Sequence, residues 1–364
     1  MQLRILACSK KTRKLGAFRQ PRLDKSPRLN YGAGSRIERA VFAIRAPCLM
    51  ADPVLAPDAP LHIVSNAGSG SKDVHEAREQ IEAIFSAARR PHEFILIENP
   101  GQLQRVAKQA VDSAVRSGGA VVVAGGDGTI NALVQAVLPT RRPFGIIPQG
   151  TFNYSSRAHG IPLDPAEAAK SLLTARLKPV QVGLVNDRVF LVNASLGLYP
   201  QLLQDREEYK RQYGRRRSVA FWSGLMTLFR EHRQWVVEVE YEQGLERLRT
   251  PSIFIGNNAL QLEQVGLEEA EDVKRRGRLA AVIVEPVSNA ELLWLAARGM
   301  LGRLGDDERV RNFSFRCMTV RLLSSVGRRG IKGAVDGEIF WCQPPLTFEV
   351  APQPLMLLAP ATEP

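Results

Sequence analysis

AVVVAGGDGTINALVQAVL, Ala120 to Leu138, is the stretch whose reading decides the fold. Ala120 to Ala124 is a short apolar run rich in β-branched residues, the pattern of a buried parallel strand. It runs into Gly125, Gly126, Asp127, Gly128 and Thr129, after which Ile130, Leu133, Val134 and Val137 recur at helical spacing. A strand, a Gly-rich turn and a helix together suit a phosphate: glycine lets the backbone approach an anion, and the helix N-terminus offers free N–H groups and a positive dipole end. Asp127 is out of keeping with bare phosphate, which a carboxylate repels. It points to Mg²⁺ or to proton handling. Gly-Gly-Asp-Gly by itself is also compatible with a plain turn.

A chain of 364 residues has room for two domains, and a 45% hydrophobic fraction is ordinary for a globular protein. No apolar run approaches the roughly 18 residues of a membrane span. Cys8, Cys48, Cys317 and Cys342 have neither metal-ligand spacing nor the look of a disulfide framework, which fits a reducing cytoplasm. The net charge of +12 belongs largely to residues 1–50, which hold 12 Lys/Arg against 2 Asp/Glu. The remainder is close to neutral, so overall basicity does not argue for nucleic acid. Residues 1–58 are expected to be a disordered basic extension, read either as a targeting peptide or as sequence upstream of a start at Met50.

Strands are expected at Leu61–Ser65, Phe94–Ile97, Ala120–Ala124 and Phe144–Ile147. Helices are expected at Val74–Arg89 and Leu103–Ser117 and after Asp127. This alternation predicts an α/β domain with a doubly wound parallel sheet over 59–179, with ligands at the carboxyl ends of its strands. From Val180 the pattern changes to strand-like segments at Gln181–Val185, Val189–Asn193, Val236–Tyr241, Ser252–Ile255, Leu279–Glu285, Phe313–Leu322 and Leu346–Val350. They predict a mostly antiparallel β-sandwich over 180–352. Two helical insertions, Val219–Phe229 and Ala290–Leu304, interrupt it, and residues 353–364 are expected to return to the first domain.

Three further segments carry chemistry. Asn66-Ala67-Gly68-Ser69-Gly70 follows the first strand of the same sheet. Gly150-Thr151-Phe152-Asn153 follows Ile147-Pro148; the Thr151 hydroxyl can donate to a phosphate oxygen, and Asn153 can read a base or hold the loop. Val335-Asp336-Gly337-Glu338 contains a hairpin signal, and it would present Glu338 at the tip, able to take a proton from an attacking hydroxyl.

In this order, NxGSG, GGDGTxN, PxGTxN and VDGE resemble the diacylglycerol kinase catalytic family, particularly its soluble bacterial lipid-kinase branch, over about residues 60–352. The family is related to sphingosine kinases and to NAD kinases. The resemblance implies ATP and Mg²⁺ as cofactors, with Gly125, Gly126, Gly128, Thr129 and Asn131 cradling the phosphates and Asp127 organising the metal. Asn66, Ser69, Gly70, Gly150, Thr151 and Asn153 would complete the nucleotide site, and Glu338 would be the general base toward a lipid hydroxyl. The pattern departs from the family at Tyr154, where an Asp is usual, and at Arg276-Gly277-Arg278-Leu279, where relatives place an Asp linked to a structural Mg²⁺. An arginine cannot ligate a cation, so that metal is expected to be absent, with the Arg276 charge in its place.

The expected activity is phosphorylation of a hydroxyl of diacylglycerol or a related lipid. The competing readings are a kinase for a soluble hydroxyl compound such as NAD and a catalytically silent nucleotide- or lipid-binding relative. A lipid acceptor implies peripheral contact with the inner membrane face, for which Val219–Phe229 and Ala290–Leu304 are candidates, each equally readable as a core helix with a charged outer face. No nucleic-acid partner is expected, and a second copy of the chain is a candidate partner.

Overall fold

The structure is a computed structural model that describes residues 55–66, 72–150, 152–197, 234–323 and 330–361. The expected Val219–Phe229 helix, most of the 1–58 extension, and Ser69, Gly70 and Thr151 lie outside the described residues.

The first part is wound as the alternation predicts. Its elements are β1 (Leu61–Asn66), α1 (Lys72–Ala87), β2 (His92–Ile97), α2 (Leu103–Ser117), β3 (Ala120–Gly125), α3 (Asp127–Val137), β4 (Phe144–Pro148), α4 (Tyr154–Ala158), α5 (Pro165–Leu173) and β5 (Arg176–Val180). Strands β2, β1, β3 and β4 are parallel neighbours in that order. Helices α1 and α5 pack together, α5 against β4, while α2 and α3 pack together, α2 against β1 and α3 against β3. The apolar run 120–124 is wholly buried because a parallel sheet is covered on both faces. Val106, Ala107, Ala110, Val111 and Ala114 form the inward stripe of α2, which ends at Gly118 in the left-handed region, φ 70°. Leu55, ahead of β1, also packs on this core.

The second part contains β6 (Gly183–Val185), β7 (Arg188–Phe190), β8 (Asn193–Gly197), β9 (Trp235–Tyr241), β10 (Gly244–Thr250), β11 (Ser252–Gly256), α6 (Ala259–Gln264), α7 (Glu269–Arg276), β12 (Leu279–Val284), α8 (Asn289–Met300), β13 (Val310–Phe315), β14 (Cys317–Leu322), β15 (Ile331–Val335), β16 (Glu338–Cys342) and β17 (Leu346–Val350). Two six-stranded sheets, β10-β9-β14-β17-β6-β7 and β13-β12-β11-β8-β15-β16, enclose one core. Val239, Met318 and Phe348 come from the first sheet, and Leu196, Ile253 and Phe315 from the second. Helices α6, α7 and α8 cover the outer face of the second sheet through Leu262, Ala270 and Leu295 against Ala280 and Val282. α8 starts on a capping box, Ser288 with Glu291.

Last comes β18 (Leu355–Ala359), which joins the first sheet, parallel to β4 at Leu357 and Phe144 and antiparallel to β5. The first sheet thus takes up both chain segments that flank the sandwich.

The structure corrects three sequence expectations. Phe313–Leu322 is two strands, not one: β13 and β14 lie in opposite sheets, and the chain crosses at Arg316, whose N–H donates to Glu242 Oε1 at 2.7 Å. Val189–Asn193 divides likewise, Arg188–Phe190 going to one sheet and Asn193–Gly197 to the other. Alternating apolar residues show a strand's faces but do not show the chain changing sheets. Helix α3 begins at Asp127 with Gly126 as its N-cap, so Asp127, Gly128 and Thr129 are its first turn and not a loop.

Candidate active site

The start of α3 is bare. Gly126 (φ −92°, ψ 178°) provides no side-chain cap, which leaves the first N–H groups of the helix without an intrahelical partner. The turn is also tightly packed from behind. A Cβ on Gly150 would lie 2.9 Å from the Gly126 Cα, so the turns after β3 and β4 touch backbone to backbone, and Gln149 N–H donates to Gly125 O at 3.0 Å. Asn153, at φ 49°, closes the second turn on itself: its Oδ1 accepts from Gly150 N–H at 3.0 Å and its Nδ2 donates to Gly150 O at 2.9 Å. Of the two roles open to Asn153, the structure shows the loop-holding one.

Asp127 leaves the α3 turn toward the start of α4, where the backbone N–H groups of Asn153, Tyr154 and Ser155 favour its ionised form. Burial pushes its carboxyl above the usual range, more strongly than those three donors pull it down. Its Oδ1 is buried with no hydrogen-bond partner among the described residues.

From the far end of the chain, the β15–β16 hairpin reaches the same place. Asp336 and Gly337 both have positive φ, 46° and 86°, as a two-residue hairpin turn requires. The Asp336 side chain turns inward. Its Oδ1 accepts from Val192 N–H (2.8 Å) and Asn193 N–H (3.0 Å), and its Oδ2 from Leu191 N–H (2.8 Å) and Asn131 Nδ2 (2.7 Å). Burial raises the proton affinity of this carboxyl, and these four donors oppose the rise. Asn131 also donates to Val189 O at 3.0 Å, and Gln135, one turn on, donates to Asp187 O and accepts from Val189 N–H, both at 2.9 Å. Helix α3 is thus fastened to β7, to the 191–193 link and to the hairpin. The result places the Glu338 carboxylate against Gly128, where any Cβ would collide with Glu338 Oε1.

Of the sequence candidates, Gly125, Gly126, Asp127, Gly128, Thr129, Asn131, Gly150, Asn153 and Glu338 gather around the start of α3. Asn66 ends β1, the strand beside β3. Sequence reasoning did not single out Asp336 and Gln135. Gln135 sits four residues after Asn131, on one helix face, which was a readable signal. Asp336 gave only a turn signal, because its partners are 143 to 205 residues away. Arg276 is ion-paired with Asp272 at 3.1 Å, and Asp272 also accepts from Ser314.

This set fits a nucleotide phosphate with a divalent cation. The helix start has no cap of its own, the glycines keep Cβ atoms away, and one buried carboxylate oxygen lacks a partner.

A parallel α/β domain joined to an antiparallel sandwich is the fold class so defined, and the chain resembles known proteins in sequence and in fold. The profile of the diacylglycerol kinase catalytic domain matches residues 60–185. Diacylglycerol kinase of Bacillus subtilis is 34% identical over 184 residues, 50% of this chain and 59% of that protein. A probable YegS-like lipid kinase of Pseudomonas aeruginosa is 38% identical over 105 residues, 28% of this chain and 34% of its own length. These matches span less than two thirds of either relative. The crystal structure of a putative diacylglycerol kinase from Bacillus anthracis shares the fold at a TM-score of 0.64 and 19% identity, over 83% of this chain and 98% of that one.

Proposed function

We propose that the protein transfers the γ-phosphoryl group of ATP to a hydroxyl of diacylglycerol or a related lipid. The observation that carries this reading is the contact of Glu338 with Gly128: a carboxylate stands at the bare helix start where a phosphate would be held. The N–H groups of the α3 turn hold phosphate oxygens, with Asn153 keeping the neighbouring turn in shape. Glu338 accepts the proton of the acceptor hydroxyl as its oxygen bonds to the γ-phosphorus and the bond to the β–γ bridging oxygen breaks, so that ADP leaves. Asp127, through its unpartnered Oδ1, is the residue that would hold Mg²⁺, whose chemistry there is neutralisation of phosphate charge. Positioning and charge neutralisation are what phosphoryl transfer most needs from a protein.

The names of the relatives and the matched domain support a lipid as acceptor. Among the described residues no helix is long and apolar enough to cross a membrane, and the proposed route to a lipid is peripheral contact with a bilayer surface. The test is purified protein with γ-labelled ATP, offered first a total lipid extract and then NAD. Label in the organic phase is the expected result. Labelled NADP would replace the lipid with a soluble acceptor, and transfer to neither would make the chain a silent relative.

A further inference from the structure

We propose that Arg188 is a catalytic residue of the transfer, its guanidinium taking a non-bridging oxygen of the phosphoryl group that passes between the start of α3 and Glu338. The inference rests on the proposed reaction and adds the kind of group that the assembled site lacks. Asp127, Asp336 and Glu338 bring three carboxylates to this end of α3, and none of the residues gathered there is cationic. A triphosphate adds further negative charge, and phosphoryl transfer is accelerated chiefly by neutralising it.

Three hydrogen bonds from the phosphate helix fix the backbone on both sides of Arg188. Gln135 Nε2 donates to Asp187 O and Gln135 Oε1 accepts from Val189 N–H, both at 2.9 Å, while Asn131 Nδ2 donates to Val189 O at 3.0 Å. Strand β7 ends its sheet, paired among the described residues only with β6, so these two amides occupy its open side. Val189 packs into the core of the α/β part, and alternation turns Arg188 to the sandwich side with Phe190. There the Arg188 guanidinium lies 4.7 Å from the centre of the Phe340 ring. Arg309, Arg311 and Arg321 of the same sandwich each pair with a carboxylate. Arg188 pairs with none among the described residues, so its charge is available to a substrate.

Glu338 and Phe340 share one face of β16, two residues and about 7 Å apart along the strand. The guanidinium thus stands one such step from the base, which leaves room for a hydroxyl oxygen and a phosphoryl group between them. Two other cations belong to neighbouring elements. Lys332 stands opposite Trp341 on the other face of the hairpin. Arg157 belongs to α4 in the α/β part, where its Nε donates to Phe152 O at 3.1 Å. Of the three, Arg188 is the one held over the face that bears Glu338.

In the transfer the acceptor oxygen bonds to the γ-phosphorus, its proton goes to Glu338, and the β–γ bridging oxygen leaves on ADP. Arg188 exchanges no atom. It donates charge-assisted N–H bonds to the phosphoryl oxygens while the phosphorus changes partners.

The experiment uses the full chain and has two readouts. The first is steady-state turnover of ATP with dispersed short-chain diacylglycerol. Arg188→Met keeps an apolar stem over Phe340 and should lower kcat about a hundredfold, with the KM for ATP and the melting temperature unchanged. Arg188→Lys should fall between the two. The second readout is binding of ADP with magnesium, alone and with aluminium fluoride, a stable stand-in for the phosphoryl group in flight. The wild-type chain should bind the fluoride complex at least tenfold more tightly than ADP, and Arg188→Met should lose that preference while binding ADP as before. Normal kcat in Arg188→Met overturns the inference, as does a preference that survives the substitution or is missing from the wild-type chain. Equal weakening of ADP and of the fluoride complex also overturns it, by making Arg188 an ordinary nucleotide contact. A wild-type chain that shows the Arg188-dependent preference and phosphorylates no lipid would overturn the lipid-kinase reading and leave the phosphoryl contact standing.

Discussion

The Glu338 carboxylate rests against Gly128, and it can do so because Gly128 has no side chain. The contact joins the second residue of α3 to the first residue of β16, elements from opposite ends of the folded chain. Gly128 has an ordinary helical backbone with no positive φ, so alanine fits its conformation and gains up to about 1 kcal/mol of helix propensity. The added methyl must displace Glu338. Gly128→Ala is therefore expected to keep or raise the melting temperature while lowering kcat at least tenfold. A variant with normal kcat would show that the contact has no part in turnover.

Glu338→Gln keeps the size of the side chain and removes its ability to take a proton. General-base catalysis is worth about a hundredfold or more, so kcat should fall by about that factor. The KM for ATP should hold, since the phosphate contacts come from α3. Steady-state kinetics in both substrates checks this, and a fall in ATP affinity without a fall in kcat would make Glu338 a binding residue.

Asp336→Asn should be destabilising although it is nearly isosteric. The carboxylate receives four N–H donors, two on each oxygen. An amide turns one of those oxygens into an NH₂ group that confronts two donors. Leaving buried donors unsatisfied costs about 1–3 kcal/mol each, so a loss of about 2–6 kcal/mol is expected from denaturant unfolding. Activity should fall as well, because the same carboxylate sets the hairpin that carries Glu338.

The periodic parts of this fold were legible in the sequence and the non-local ones were not. Leu103–Ser117 could be bounded to the residue, since its stripe is regular and Gly118 ends it. The parallel strands showed as apolar runs because the sheet is covered on both faces. Helices α6 and α7 were missed: they have six and eight residues, and Glu269–Arg276 is charged at six of its eight positions. Strand β10, Gly244–Thr250, was missed because it is a polar sheet edge, paired among the described residues only with β9. The candidate site was legible as four motifs in order. What brings two of them together, Asp336 spanning Asn131 and the 191–193 link, depends on tertiary structure that no local spacing encodes.

Asp127→Asn should separate stability from activity. The folded environment raises the carboxyl's proton affinity above its unfolded value, so the native state holds more protons than the unfolded state between the two pKa values. Stability contributed by this group consequently falls as pH rises through that window, and at neutral pH the ionised side chain is a net cost. An asparagine still offers an oxygen to the α4 N–H groups and carries no charge. The expected outcome is an unchanged or higher melting temperature at pH 7 without nucleotide, with phosphoryl transfer reduced at least a hundredfold. A marked drop in melting temperature would mean that the carboxylate chiefly holds α4 in place.

His159, which follows α4, gives the acid limb of stability a defined origin. It lines a cavity of about 20 Å³, roughly room for one water, with Ile146, Gln181, Asn258 and Leu357. Burial, helped by the Lys178 charge, lowers its pKa to about 4 from an ordinary 6.5. The unfolded chain therefore takes up a proton near pH 6.5 that the folded chain refuses until about pH 4. Stability is complete above the higher value, declines as pH falls between the two, and is lower by about 3 kcal/mol at the bottom of the window. Unfolding curves between pH 7 and pH 4 should show this decline in the wild-type chain, with a shallower slope in His159→Gln. Parallel slopes for the two proteins would assign the acid limb to other groups.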